Sequence, residues 1–170
     1  SPAGGVRLFA TADIPVRRLS LRGLASLNER IEQVSPRNLA ALVLRDPLLT
    51  ARLFSYVAAN RGPRYAGELT NVDGIVLTFG MTRVIETLAA APELETLLEG
   101  NHHAMEGLFA VLLRARQAAR FAGEFACYRQ DREAEEIALA ALLHDLAEML
   151  LWCVAPAAAL EIRHRMRADP

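Results

Sequence analysis

Leu142-Leu143-His144-Asp145-Leu146-Ala147-Glu148 sets an adjacent histidine and aspartate inside an almost unbroken apolar run, Ile137 to Val154. Burying an ionisable pair costs about 2–7 kcal/mol for each unsatisfied polar group, and more for a charge. A sequence keeps such a pair because it binds a metal, or because it is the satisfied remnant of a site that did. By length the run is a candidate membrane span. His144, Asp145 and Glu148 lie in its middle, however, where a charge costs about 2.5–3.5 kcal/mol even on a lenient insertion scale. It reads as a buried helix of a soluble bundle, with no membrane partner.

Helical signals extend outward on both sides. Apolar Leu108, Val111, Leu112 and Ala119 predict a long helix over about 104–128, followed by a turn and then the His-Asp helix over about 133–155. Pro156 stops that helix, and a last one follows it. Toward the N-terminus, Leu21, Leu24, Leu27, Ile31 and Val34 recur every three or four residues, the period of an amphipathic helix. Ser35-Pro36 and Asp46-Pro47 each read as a helix start, with a capping side chain before a proline that has no amide to leave unpaired. Asn60 to Pro63 ends the helix after Asp46. Asn71 or Asp73 opens the next one, which runs into Gly80, a position suited to a left-handed cap. Residues 1–18 lack periodicity at their start and read as an arm or linker; 19–170 read as one helical domain. No strand pattern and no repeat is present, so the fold class is all-α, a multi-helix bundle.

Composition agrees. The 170 residues are 52% hydrophobic and only 6% aromatic, which favours helix over sheet. A net charge of −1 gives no global field toward nucleic acid or an anionic membrane. All nineteen basic residues are arginine, a pattern of codon bias and not of phosphate binding. Cys127 and Cys153, too far apart for a CxxC motif and without a secretory signal, read as reduced core thiols of a cytoplasmic protein. The chain starts at Ser1 without methionine and stops at Pro170, as a piece of a longer protein would.

From the residues alone His144 and Asp145 fit two readings: metal ligands, or a buried polar network that ties the helix to its neighbours. A metal needs three or four ligands gathered from several helices. The remaining histidines fit poorly. His102 and His103 are adjacent, so their side chains diverge at a helix start, and His164 stands among Arg163, Arg165 and Arg167.

Asp46-Pro47-Leu48-Leu49-Thr50-Ala51-Arg52-Leu53, then Asn60, then Ile75 to Gly80, then Ala141-Leu142-Leu143-His144-Asp145-Leu146 resemble, in order and spacing, the HDOD domain. That family, the HD-related output domain, is a bacterial relative of HD-type metal phosphohydrolases. The resemblance runs from Leu19 to Ile162 and implies an HD-like bundle with a central, buried His-Asp helix. It also implies a non-enzymatic role, since HDOD domains look like HD hydrolases that have lost part of the metal set. In the HD pattern a further ligand histidine lies on the preceding helix. The small residues Ala115, Ala119 and Ala122 align Arg114 with that position or beside it. Arginine stays protonated and cannot ligate a cation.

The resemblance therefore implies a degenerate site of His144, Asp145 and Arg114, with no catalytic residue, metal or cofactor. Arg114 is expected to hold Asp145 by two parallel bonds with His144 hydrogen-bonded alongside. As a buried pair it would cost about 3–5 kcal/mol to break from one side. The chain departs from the family at Ala141 and Ala147, where glycine is usual, at Glu148 in place of lysine, and at Arg61 in place of serine. The family's C-terminal helices are short or missing.

The leading functional expectation is a bacterial signalling and regulatory domain that acts on other signalling proteins, on domains of a longer chain, or on a small-molecule or nucleotide ligand. The alternatives are a metal phosphohydrolase using His144 and Asp145, and an arginine-rich module for nucleic acid. Acidic Glu93, Glu95 and Glu99, and Glu133 to Glu136, interrupt any basic surface and disfavour the last. Arg61, Arg64 and Tyr65 are the first candidates for a partner surface.

Overall fold

The computed structural model describes residues 13–60 and 71–168, with the side chains of 167 and 168 excepted. Helices α1 (Arg18–Glu29), α2 (Pro36–Val43), α3 (Pro47–Asn60), α4 (Val72–Phe79) and α5 (Met81–Ala89) form the N-terminal half. A short α6 (Leu94–Leu97) leads to the long α7 (His102–Tyr128), and α8 (Ala134–Leu143), α9 (Leu146–Val154) and α10 (Pro156–Ala168) complete the chain. A single 3-10 turn, Ile31–Gln33, follows α1. No strand is present among the described residues, so the bundle is all-α, as read from the sequence.

The start signals act locally as their residue types require. Asn71 accepts from the Gly74 amide at 2.7 Å and Asn101 from the Ala104 amide at 3.0 Å, each satisfying a free donor of a first turn. At Ser35 the roles differ from a simple cap, because the Asn38 side chain accepts both the Ser35 amide, at 2.9 Å, and its hydroxyl, at 2.7 Å. Gly80 lies at φ +83°, where a side chain would be strained, and so lets α5 start directly after α4.

Asp46 does more than cap α3. Its carboxylate, fully buried, accepts from the Leu48 amide at 3.1 Å, from Ser20 Oγ at 2.5 Å and from Arg17 Nε at 2.9 Å. One side chain thus fastens the start of α1 to the start of α3. Residues 13–18 are correspondingly not a free arm. Val16 is in the core, exchanges two 2.9 Å backbone bonds with Pro92 and Leu94, and Arg52 holds both Asp13 and the Ile14 carbonyl. Residues 1–12, the rest of the expected arm, lie outside the described residues.

Two apolar cores result. Leu24, Leu39, Leu53, Ile75 and Leu88 centre the first, between α1 and α5. Leu108, Val111, Met149 and Trp152 centre the second, with α3 contributing Leu49 to the first and Leu48 to the second. Cys153 belongs to the second core, and burial pushes its thiol up to about 12. Cys127 is exposed, so only one of the two thiols read as buried is so.

The largest departure from expectation concerns the His-Asp helix. It is not continuous: α8 stops at Leu143, and α9 begins at Leu146 with Asp145 as its N-cap at ψ 18°. Nor is it buried all round. Residues 134–154 are long and apolar enough by composition to cross a membrane, yet only 22% of their most apolar window is buried. The inward stripe is Leu142, Met149, Trp152 and Cys153. His144 lies about 200° around the helix from Leu142, and its side chain is 81% exposed. The apolar run reflects half-buried leucines flanking that stripe and small alanines with Ile137 on the outer face, not a core on every side.

Candidate functional site

The His-Asp junction faces the middle of α7, where Arg114 projects between the two helices. Arg114 Nε donates to Asp145 Oδ2 at 2.8 Å, and Nη2 donates to Glu148 Oε2 at 2.5 Å. His144 Nδ1 stands 3.1 Å from Asp145 Oδ1. The guanidinium therefore divides its fork between two carboxylates instead of placing both bonds on Asp145. Asp145 and Glu148 are brought together by their i, i+3 spacing on one face of the chain. That Glu148 would join the site was legible only as a shared helical face, since nothing in its sequence context pointed to Arg114.

Electrostatics follow the geometry. The hydrogen bond from Arg114 holds the Asp145 carboxyl below its ordinary value of 3.8, and the same bond raises the guanidinium further. Both Asp145 oxygens are engaged, one by a permanent cation. The expected depth is absent, however. The Arg114 side chain is 53% exposed and that of Asp145 is 21% exposed. In such a setting an ion pair contributes about 0–1 kcal/mol, not the 3–5 of a buried one.

These donors do not fit a metal ion. His144 and Asp145 supply two ligands, and the guanidinium adds repulsion where a third is needed. Among the described residues no group of three or more His, Cys, Asp or Glu side chains gathers into a ligand set. His102 and His103 are exposed in the first turn of α7, and His164 is exposed on α10. Arg61, Arg64 and Tyr65 lie outside the described residues.

Arg114, Asp145 and Glu148 also rim a groove of about 890 Å³ between α7, α9 and α10, with Val111, Leu151 and Ile162 on its walls. A smaller cavity of about 430 Å³ lies between α2, α4 and α8, lined by Leu44, Leu139 and Leu142 with Arg37, Asp73 and Glu135. Three of the arginines on α7 and α10 have neighbours within the chain: Arg120 faces Glu124, Arg165 pairs with Glu161 at 2.8 Å, and Arg163 covers the Trp152 ring at 4.9 Å.

Fold and centre together define an all-helical domain whose His-Asp pair sits at a helix junction, tied to the preceding long helix by an arginine. The chain belongs to the HDOD domain family, whose sequence profile matches residues 24–170. Searches of curated proteins and of solved structures find no match.

Proposed function

We propose that this chain is a non-catalytic regulatory domain of bacterial signalling, cytoplasmic, and acting through contacts with other proteins or with domains of a longer chain. One observation carries the reading: the Arg114 fork spans Asp145 and Glu148, the two carboxylates nearest His144 along the chain. A hydrolytic metal centre needs open coordination positions and a bound water. Here a fixed cation takes up the carboxylates such a centre would use. Engagement of Arg120, Arg163 and Arg165 within the chain weakens the nucleic-acid alternative. A membrane is disfavoured because Asp145 and Glu148 would bring two carboxylates for one guanidinium into hydrocarbon.

The test is direct. The protein, supplied with manganese, iron or zinc, is expected to leave bis-p-nitrophenyl phosphate and cyclic nucleotides intact. Metal-dependent turnover that disappears in His144→Ala would establish the phosphohydrolase instead.

A further inference from the structure

Among the described residues every exposed Phe, Tyr or Trp side chain lies on one helix. Phe109, Phe121, Phe125 and Tyr128 of α7, with Leu113, are between 40% and 85% exposed. Four of these five fall on a single row. Phe109, Leu113, Phe121 and Phe125 stand at intervals of four residues or eight, and exposed Gln117 fills the gap. That row is an i±4 ridge, the kind that packs ridge into groove when two helices cross at about −50°.

We propose that two copies of this chain pair antiparallel through the exposed ridge of α7, with the two-fold axis at Gln117. The ridge is symmetric in spacing about that residue. An antiparallel copy sets Leu113 against Phe121 of the second copy, and Phe109 against its Phe125. Each contact then occurs twice, as an isologous interface requires. A glutamine on the axis suits it, because its amide both donates and accepts and can bond its own symmetry mate. A polar residue so placed fixes the register of an otherwise apolar seam. Ala110 and Ala118, exposed beside the ridge, let the helices approach closely.

Area supports the second copy as the occupant. At about 200 Å² per side chain, the four aromatics expose roughly 500 Å². Leu113 and the flanking stems bring this near the ~800 Å² per partner of a standard interface. Arg120 and Arg129 lie over the Phe121 and Phe125 rings at 5.0 and 5.9 Å, and form a polar rim to the patch.

The pairing deepens the regulatory reading, since the second copy is one of the protein partners that reading calls for. Sedimentation velocity on the whole chain should show a dimer at micromolar concentration. Leu113→Asp with Phe121→Asp should weaken it at least ~100-fold while the helical circular dichroism stays unchanged. Leu77→Asp, at a still more exposed apolar site on α4, should leave the dimer intact. Gln117→Cys in a Cys127→Ser background should form a covalent dimer on mild oxidation, and Leu77→Cys in that background should not. A monomer at ~100 µM would overturn the pairing and assign the face to another partner, as would a dimer indifferent to both aspartates with no cross-link at position 117. A monomer without hydrolytic activity would leave the regulatory reading standing, whereas a dimeric metal hydrolase would sink that reading and not the interface.

Discussion

Helices α3 and α8 carry similarly apolar sequences and end in opposite environments. In α3 Leu48, Leu49, Thr50, Ala51, Leu53 and Val57 are all buried, whereas in α8 Leu142 alone is. Neighbours make the difference: α3 packs against α2, α5, α7, α8 and α9, while α8 packs chiefly on α7 with α3 across one end. Hydrophobic stabilisation follows the area removed from water, so α3 is a keystone enclosed by several helices and α8 a cover laid closely along α7 by one face. The charged groups follow the same division. Asp46, at the head of α3, is enclosed with its donors, and Asp145, just after α8, stays within reach of solvent.

The largest expected effect separates those two aspartates. Asp46→Ala strands the Arg17 guanidinium and leaves Ser20 and the Leu48 amide without an acceptor. A cost of about 3–5 kcal/mol is expected in denaturant unfolding. If Asp46→Ala cost no more than Asp145→Ala, the contrast between the halves would fail.

Next comes Gly107 on α7, inside the second core. A Cβ built there lies 2.5 Å from Trp152 Cζ2 and Cη2, and Trp152 is among the largest fully buried side chains. The ring cannot yield without disturbing Met149 and Leu108 in the same core. Gly107→Ala should therefore destabilise by about 1–3 kcal/mol despite alanine's better helix propensity. Trp152 fluorescence should shift with it.

The fold was largely legible because its signals are local. Asp46-Pro47, Asn71 and Asn101 announced helix starts, Gly80 an end, and the 3.6-residue period placed the inward leucines. Burial of His144 was not legible, since an apolar run of alanines and leucines looks the same whether or not other helices cover it. The break at Asp145 was hidden for a related reason: it contains neither Gly nor Pro, and its carboxylate bonds a residue of another helix. Arg114 could be placed from the spacing of Ala115, Ala119 and Ala122. Its second partner and its exposure required the structure. Arg17 and Ser20 gave no hint of their bonds to Asp46, because those join residues more than twenty positions apart.

A smaller effect is expected at the Arg114 fork. Asp145→Ala should cost no more than about 1 kcal/mol. Its pH dependence has a definite sign. The folded carboxyl is held below 3.8, so its contribution is complete above that pH and fades as the pH falls through the folded value. The stability curves of the parent and Asp145→Ala should therefore differ above pH 3.8 and converge in more acidic solution. A difference that grew with acid would contradict the pairing.

The smallest effect, and the one that probes α8 most finely, is at Gly123 on α7. Replacing a helical glycine by alanine gains up to about 1 kcal/mol from backbone entropy. Against this, a Cβ at Gly123 would stand 3.3 Å from the Ala138 Cβ on α8, a few tenths of an ångström too close. In the second core such crowding costs more than the gain, because Trp152 is held on all sides. At Ala138 the pressure falls on a helix whose opposite face is open to water, with Ile137 and Ala140 exposed beside it. A shift of α8 by that margin meets open solvent on its far side and breaks no described side-chain hydrogen bond on α8. Gly123→Ala is therefore expected to be neutral or to stabilise by a few tenths of a kcal/mol, opposite in sign to Gly107→Ala on the same helix. Thermal unfolding of the two variants side by side measures the difference. A Gly123→Ala variant as damaged as Gly107→Ala would mean that α8 is held as firmly as α3.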